Sequence, residues 1–201
     1  MADIKKSMEL LKKVEHSNRN EKLLHKNKDE TGLTFFGIYE TAHPNWKGWR
    51  IIKAYMVLDE DCKEYLKTGD RNDLSLALRK ISNILANVSD LNQLVIDFYK
   101  TEFWDKARLD EVNSQKIADE IFIFGVNVGM KTAAIKAQFL VDAVPDGKIG
   151  NKTIEALNNF DENKFDILFD EQEVEHYDKL VKLHSRFQIN QTGWHNRAYA
   201  V

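Results

Sequence analysis

The chain has 201 residues, 43% of them hydrophobic and 30% charged, with a formal net charge of −3. That length and apolar content favour a folded protein of one or two small domains over a disordered chain. The balance of charge, with Lys5, Lys6, Lys12 and Lys13 offset by acids throughout, argues against a nucleic-acid partner. The single cysteine, Cys62, leaves no intramolecular disulfide and no multi-cysteine zinc site. No apolar run approaches the ~20 residues that span a bilayer, so no membrane insertion is expected. The start MADIKKSMELLKKVEH carries charges where a signal peptide has its apolar stretch. The chain is therefore expected to be made in the cytoplasm without a signal peptide, and to need another protein to release it.

In chain order, Ile4, Met8, Leu11 and Val14 recur at helical spacing behind Asp3, which predicts a first helix ending near Glu15. Residues 16–37 are mostly polar and interrupted by Gly32, and they read as a long loop or a short irregular β-hairpin. WRIIKAYMVLDEDCKEYLKTG reads as helical with a stop at Gly69, and DLSLALRKISNIL places Leu74, Leu78, Ile81 and Leu85 on one face behind Asp73 as N-cap. Leu91, Leu94, Val95, Phe98 and Tyr99 mark the next helix. Ile117, Ile121, Phe124 and Val128 mark one apolar enough to be central and buried. Shorter pieces follow: AAIKAQFLV, a turn at VPDGKIG, and NKTIEALNNF with Asn151 as its N-cap. A last periodic stretch of Val174, Tyr177, Val181 and His184 leads into FQINQTGWHNRA. Strand-like alternation is scarce and there are only two prolines, so the predicted class is all-α.

The stretch KDETGLTFFGIY with HPNWKGW concentrates Gly, Thr and aromatic residues. An aromatic-lined groove with polar anchors suits a sugar, whose ring faces are apolar and whose edges are hydroxylated. The competing reading is that Phe35, Phe36, Trp46 and Trp49 plug a core under a loop. His16, His25 and His43 share the polar region, but their spacing fits no helical ligand pair, and no metal or other cofactor is expected. Asn127, in VNVG, reads equally as a buried hydrogen-bonding residue or as one facing a cleft.

Taken in series, these segments resemble the glycoside hydrolase family 108 N-acetylmuramidases over nearly the whole chain. DETGLTFFGI is similar to the family's D-P-G-G-x-T-x-x-G-I, with Asp29, Gly32, Thr34, Gly37 and Ile38 in step. FYKTEFWD, FIFGVNVG, PDGKIGNKT and TGWHNRA resemble its later Y-x-x-x-Y-W, F-D-x-x-V-N-x-G, D-G-x-x-G-x-x-T and G-W-x-x-R lines. The resemblance implies a lysozyme-like helical half, expected over residues 1–102, and a small helical peptidoglycan-binding half, expected over 103–201. It also implies hydrolysis of peptidoglycan glycan strands by a phage endolysin or a secretion-assisting muramidase. In the family the first helix leads into E-G-G-Y, whose Glu is the catalytic acid, and the resemblance places Glu15 there. His16, Ser17 and Asn18 stand where the family has Gly-Gly-Tyr, and Glu30 and Thr31 replace Pro and Gly.

Asp29, Thr34, Tyr39, Trp46 and Asn127 are the expected substrate-binding residues. Asp29 or Glu30 could supply a second carboxylate, while an Asx turn is an equally good use of Asp29. Lys148, Lys152 and Arg197 are the expected wall contacts of the second half. The alternative reading is a peptidoglycan-binding protein without turnover.

Overall fold

The computed structural model describes residues 1–27, 31–69 and 74–201. The expected N-cap Asp73 lies outside them, as do Asp29 and Glu30. The described chain is all-α, with ten α-helices and one small antiparallel sheet. Packing divides it into two units, one of Glu15–Phe98 and one that joins Met1–Val14 to Tyr99–Val201.

Helix α1 spans Ile4–His16, ending where the periodicity ends, and buries Ile4, Met8 and Leu11. Asp3 starts it by accepting the Lys5 N–H on Oδ1 at 2.9 Å. In the Glu15–Phe98 unit, β1 (Leu24–His25), β2 (Thr34–Phe35) and β3 (Ile38–Tyr39) form a sheet in sequence order. The β2–β3 turn is two residues, Phe36 and Gly37, both with positive φ (48° and 78°). That is the geometry whose twist suits a tight hairpin, and it explains the Gly. Phe36 is a strained choice for a left-handed position. Its buried ring, 5.2 Å from the His16 ring, offsets the strain.

WRIIKAYMVLDEDCKEYLKTG is two helices rather than one, α2 (Gly48–Met56) and α3 (Glu60–Thr68). The break is made by Asp59, whose carboxylate accepts the N–H groups of Asp61 and Cys62 and so starts a new helix. Trp46 folds back over the start of α2 so closely that a Cβ on Gly48 would lie 2.2 Å from its ring, so only glycine fits there. Cys62 is fully buried, and burial, then the Asp59 carboxylate, push its thiol up to about 11, which makes it a packing residue rather than a nucleophile. Helix α4 (Leu74–Leu85) buries the expected face of Leu74, Leu78, Ile81 and Leu85, and α5 (Ser89–Tyr99) follows.

Beyond α5 the helix winds into one π turn, Lys100–Trp104, followed by 3₁₀ turns at Asp105–Ala107 and Leu109–Glu111. In the second unit α6 (Gln115–Val128) is the central helix, buried at Ile117, Ile121, Phe122 and Phe124. Around it come α7 (Met130–Leu140), α8 (Asn151–Asn159), the long α9 (Glu162–Leu183) and α10 (Gln191–Ala198). Asn151 is the first residue of α8 rather than its cap, because its side-chain oxygen accepts from Arg108 at 2.8 Å instead of turning back to its own helix. The Ala2 N–H donates to the Val112 carbonyl at 2.8 Å and the Asp3 N–H to Gln115 at 2.8 Å, so the first residues are tied to the segment entering α6. No helix among the described residues is long and apolar enough to cross a membrane.

Candidate active site

Within the Glu15–Phe98 unit lies a cleft of about 710 Å³. The last turn of α1 brings Glu15 and His16 to it; the 3₁₀ turn Asn20–Lys22 brings Glu21 and Lys22; β1 brings Leu24 and His25, with Lys26 just beyond. Helix α4 closes the opposite side with Leu74 and Leu78, one turn apart, and with Ser75 and Arg79 on the adjoining row. The floor is thus aliphatic and the rim carries carboxylates, imidazoles and cations, a mixture suited to a hydroxylated, partly apolar ligand.

The loop after α1 is held to α4 by Ser82, which is fully buried. The Leu24 N–H donates to Ser82 Oγ at 2.9 Å, and the Ser82 hydroxyl donates to the Asn20 carbonyl. Ser82→Ala leaves both groups without that partner. It is expected to destabilise the protein by about 1–3 kcal/mol, which urea denaturation will measure. The backbone between Glu15 and this anchor turns through Ser17 and Asn18, both with positive φ (49° and 56°). Glycine takes such angles without strain, so the two residues hold a turn here that glycines hold more easily.

Glu15 is half-buried. Beside it, His25 donates Nδ1–H to the Lys22 carbonyl at 3.1 Å, which leaves Nε2 as the imidazole's accepting atom when the ring is neutral. Lys26 reaches Tyr65, its ammonium 3.1 Å from the phenol oxygen and 5.3 Å from the ring centre. Of the residues expected from the sequence, Glu15 is the one that lines this cleft among the described residues. Thr34 is buried in β2. Tyr39 donates its hydroxyl to the Thr31 carbonyl at 2.7 Å, a bond that ties β3 to the bend just before β2. Trp46 is half-buried in an aromatic cluster, stacked on Phe35 at 6.3 Å and edge-on to Trp49 at 5.2 Å, with its N–H donated to the Leu94 carbonyl at 3.3 Å. Asn127 belongs to the other unit; it is exposed on α6 and donates to the Ile123 carbonyl one turn earlier. Asp29 and Glu30 lie outside the described residues.

Glu21, Lys22, Lys26 and Arg79 were not singled out in the sequence. They sit in polar stretches where nothing but position distinguishes them from solvated residues. Of the three histidines in that region, His16 and His25 line the cleft, while His43 lies edge-on to Phe98 at 4.8 Å. Among the described residues no three His, Cys, Asp or Glu side chains are placed to hold a metal ion.

The chain is thus a helical protein whose first helix ends at a carboxylate on a mixed polar and apolar cleft, in the manner of a glycan-cleaving enzyme. The family model described as Glycosyl hydrolase 108 matches residues 19–129, more than half of the chain, and the chain belongs to that family. It is a glycoside hydrolase with an all-α, lysozyme-like fold and a carbohydrate substrate. The matched stretch begins beyond Glu15 and does not include that residue. No curated protein matches the chain.

Proposed function

We propose that the protein is an N-acetylmuramidase that cleaves peptidoglycan glycan strands with Glu15 as general acid and without a cofactor. The observation that carries this reading is the half-buried Glu15 at the end of α1, opening on a cleft in a glycoside hydrolase chain. In the reaction the Glu15 carboxyl gives its proton to the glycosidic oxygen as the anomeric carbon–oxygen bond breaks and the bonding pair leaves with that oxygen. A second carboxylate either takes a proton from the water that attacks the anomeric carbon, or attacks that carbon itself to give a glycosyl ester, which water then cleaves as the Glu15 carboxylate takes the water's proton back. Asp29 is the candidate by family resemblance, and Glu21, which lines the same cleft as Glu15, is the candidate by position. Carboxyl separations of ~5 Å and ~6.5–9.5 Å correspond to retention and inversion respectively. Glu21→Gln and Asp29→Asn separate the candidates: the true partner loses at least ~10²-fold in kcat, measured as reducing ends released from soluble glycan, while the other stays within a few-fold.

Thr34, Tyr39, Trp46 and Asn127 belong to this proposal as residues that shape or contact the glycan path. Residues 1–102 would carry the chemistry and 103–201 the wall contact, with the exposed Lys148 and Lys152 on the wall-facing surface. Synthesis in the cytoplasm and release through a holin-type pore fit an endolysin. The alternative is a wall-binding protein without turnover. Purified peptidoglycan distinguishes the two: clearing with new reducing ends supports the muramidase, and co-sedimentation without clearing supports the binder.

A further inference from the structure

Four acidic side chains come together where α9 packs on α6. Glu120 comes from α6, and Asp166, Asp170 and Glu173 come from α9, at spacings of four and three that put them along one face. Glu120 is 0% exposed and Glu173 2%. Ionised, Glu120 finds no hydrogen-bond donor for either oxygen, and neither do Glu173 Oε1 and Asp170 Oδ1, whereas a protonated Glu120 can bond to Asp166. The bordering cations are committed or peripheral. Lys116 of α6 pairs with Asp166 at 3.2 Å, and Lys136 of α7 donates to the Gln172 carbonyl at 2.8 Å. Arg197 of α10 pulls electrostatically on Glu173, favouring its ionised form. His176 stands edge-on to Phe124, and burial, then Lys136 and Lys179, lower its pKa, favouring the neutral ring; the buried phenol of Tyr177, one turn beyond Glu173, stands edge-on to the same Phe124 at 5.9 Å.

An unpaired buried carboxylate is costly, and a carboxyl in such a place keeps its proton. Burial, then the neighbouring carboxylates of Glu173, Asp170 and Asp166, push Glu120 up to about 10. Burial and Asp170 push Glu173 up to about 8 against the opposing pull of Arg197 and Lys136. Burial and Asp166 push Asp170 up to about 6.

We propose that this seam is a proton-dependent latch: neutral carboxyls on Glu120 and Glu173 hold α9, with α10 fastened to it, against α6, and loss of the Glu173 proton to solvent as pH rises releases the two helices together. They leave as one piece because α10 is fastened to α9 itself, Trp194 stacked on Tyr177 at 5.0 Å and Asp178 accepting from Gln191 and His195 at 2.8 Å each. The sign follows from linkage. The folded values lie above the ordinary carboxyl value, so the folded unit holds protons that the unfolded chain has released. This contribution is fully favourable below about 4.5, declines as pH rises, and is exhausted once pH passes the folded values of about 8 and about 10.

The test is hydrogen exchange of the full chain followed by mass spectrometry between pH 6 and 9.5, with rates corrected for the intrinsic pH dependence of amide exchange. Between pH 6 and 8, below the folded Glu173 value, residues 162–198 are expected to lose protection by about tenfold per pH unit for each carboxyl that opening lets ionise, with a shallower loss above about 8, while residues 74–85 hold theirs. Glu173→Gln is expected to remove the Glu173 share of the loss, making it markedly shallower between pH 6 and 8, and the double variant Glu120→Gln/Glu173→Gln to abolish it. If the double variant does not fold, Glu173→Gln, which leaves the innermost carboxyl in place, carries the comparison. Unchanged protection of 162–198 in the wild type, an equal loss in the Gln variants, or a uniform loss along the whole chain would each overturn the latch.

Discussion

Glu15→Gln lowers kcat on soluble glycan by ~10²–10⁴-fold, the usual effect of removing one general acid. The amide has nearly the shape of the carboxyl but no transferable proton, so the change subtracts the chemistry and leaves the geometry. A substitution of this kind at a half-exposed site alters stability by about 0.5 kcal/mol or less. KM should therefore hold and the melting curve should overlay that of the wild type. Reducing-end release and calorimetry on the same preparation check both halves of the result. A variant with wild-type turnover and an unchanged melting curve would move the acid to another side chain of the cleft, Glu21 first.

The helices were legible because most bury a single face. Leu74, Leu78, Ile81 and Leu85 occupy the predicted side of α4, and Ile117, Ile121 and Phe124 the predicted core of α6. The break between α2 and α3 was missed because Met56, Val57 and Leu58 continue the apolar texture across it, although Val57 and Leu58 are exposed. The signal that could have found it is Asp59, a cap residue followed at once by the acidic first turn of Glu60 and Asp61. In the site, Glu15 was legible as the last residue of an amphipathic run. Arg79 and Glu21 were not, since a cleft between a 3₁₀ turn and a helix leaves no periodic mark. The two readings of the aromatic cluster, groove or core, divide residue by residue: Phe35, Phe36 and Trp49 are buried, and Trp46 is only half-covered. The carboxyls of Glu120 and Glu173 were hidden by their type, because acidic residues on a helix are expected in solvent.

Trp104→Ala is expected to have the largest effect on stability, about 3–5 kcal/mol, out of the ~5–15 kcal/mol typical of a folded protein. The indole is fully buried at the end of the π turn and stands edge-on to Phe122 at 5.6 Å. Its N–H donates to Asp110 Oδ1 at 2.7 Å, while Lys100 holds the other oxygen at 2.6 Å. Truncation removes the largest fully buried side chain and one of the partners of a carboxylate at once. Trp104→Phe keeps most of the volume and leaves Asp110 to Lys100, so it should cost only about 1 kcal/mol for the lost hydrogen bond. Denaturant midpoints of the two variants against the wild type separate cavity from hydrogen bond. Equal losses would show that the indole N–H, rather than the ring, holds this corner.

The joining of Met1–Val14 to Tyr99–Val201 also sets an order of events in folding. The Asp3–Gln115 bond closes a loop of 112 residues, and the continuous stretch Glu15–Phe98 lies inside it. Long loops close late, because their closure entropy is lost before their contacts form, whereas the enclosed stretch can fold from nearer neighbours. During synthesis α1 emerges well before α6 and must wait, with Ile4, Met8 and Leu11 uncovered, until the residues that bury it have been made. The slow refolding phase should then belong to the docking of α1, and a chaperone that acts on this protein would find the apolar face of α1 uncovered for as long as that docking is delayed.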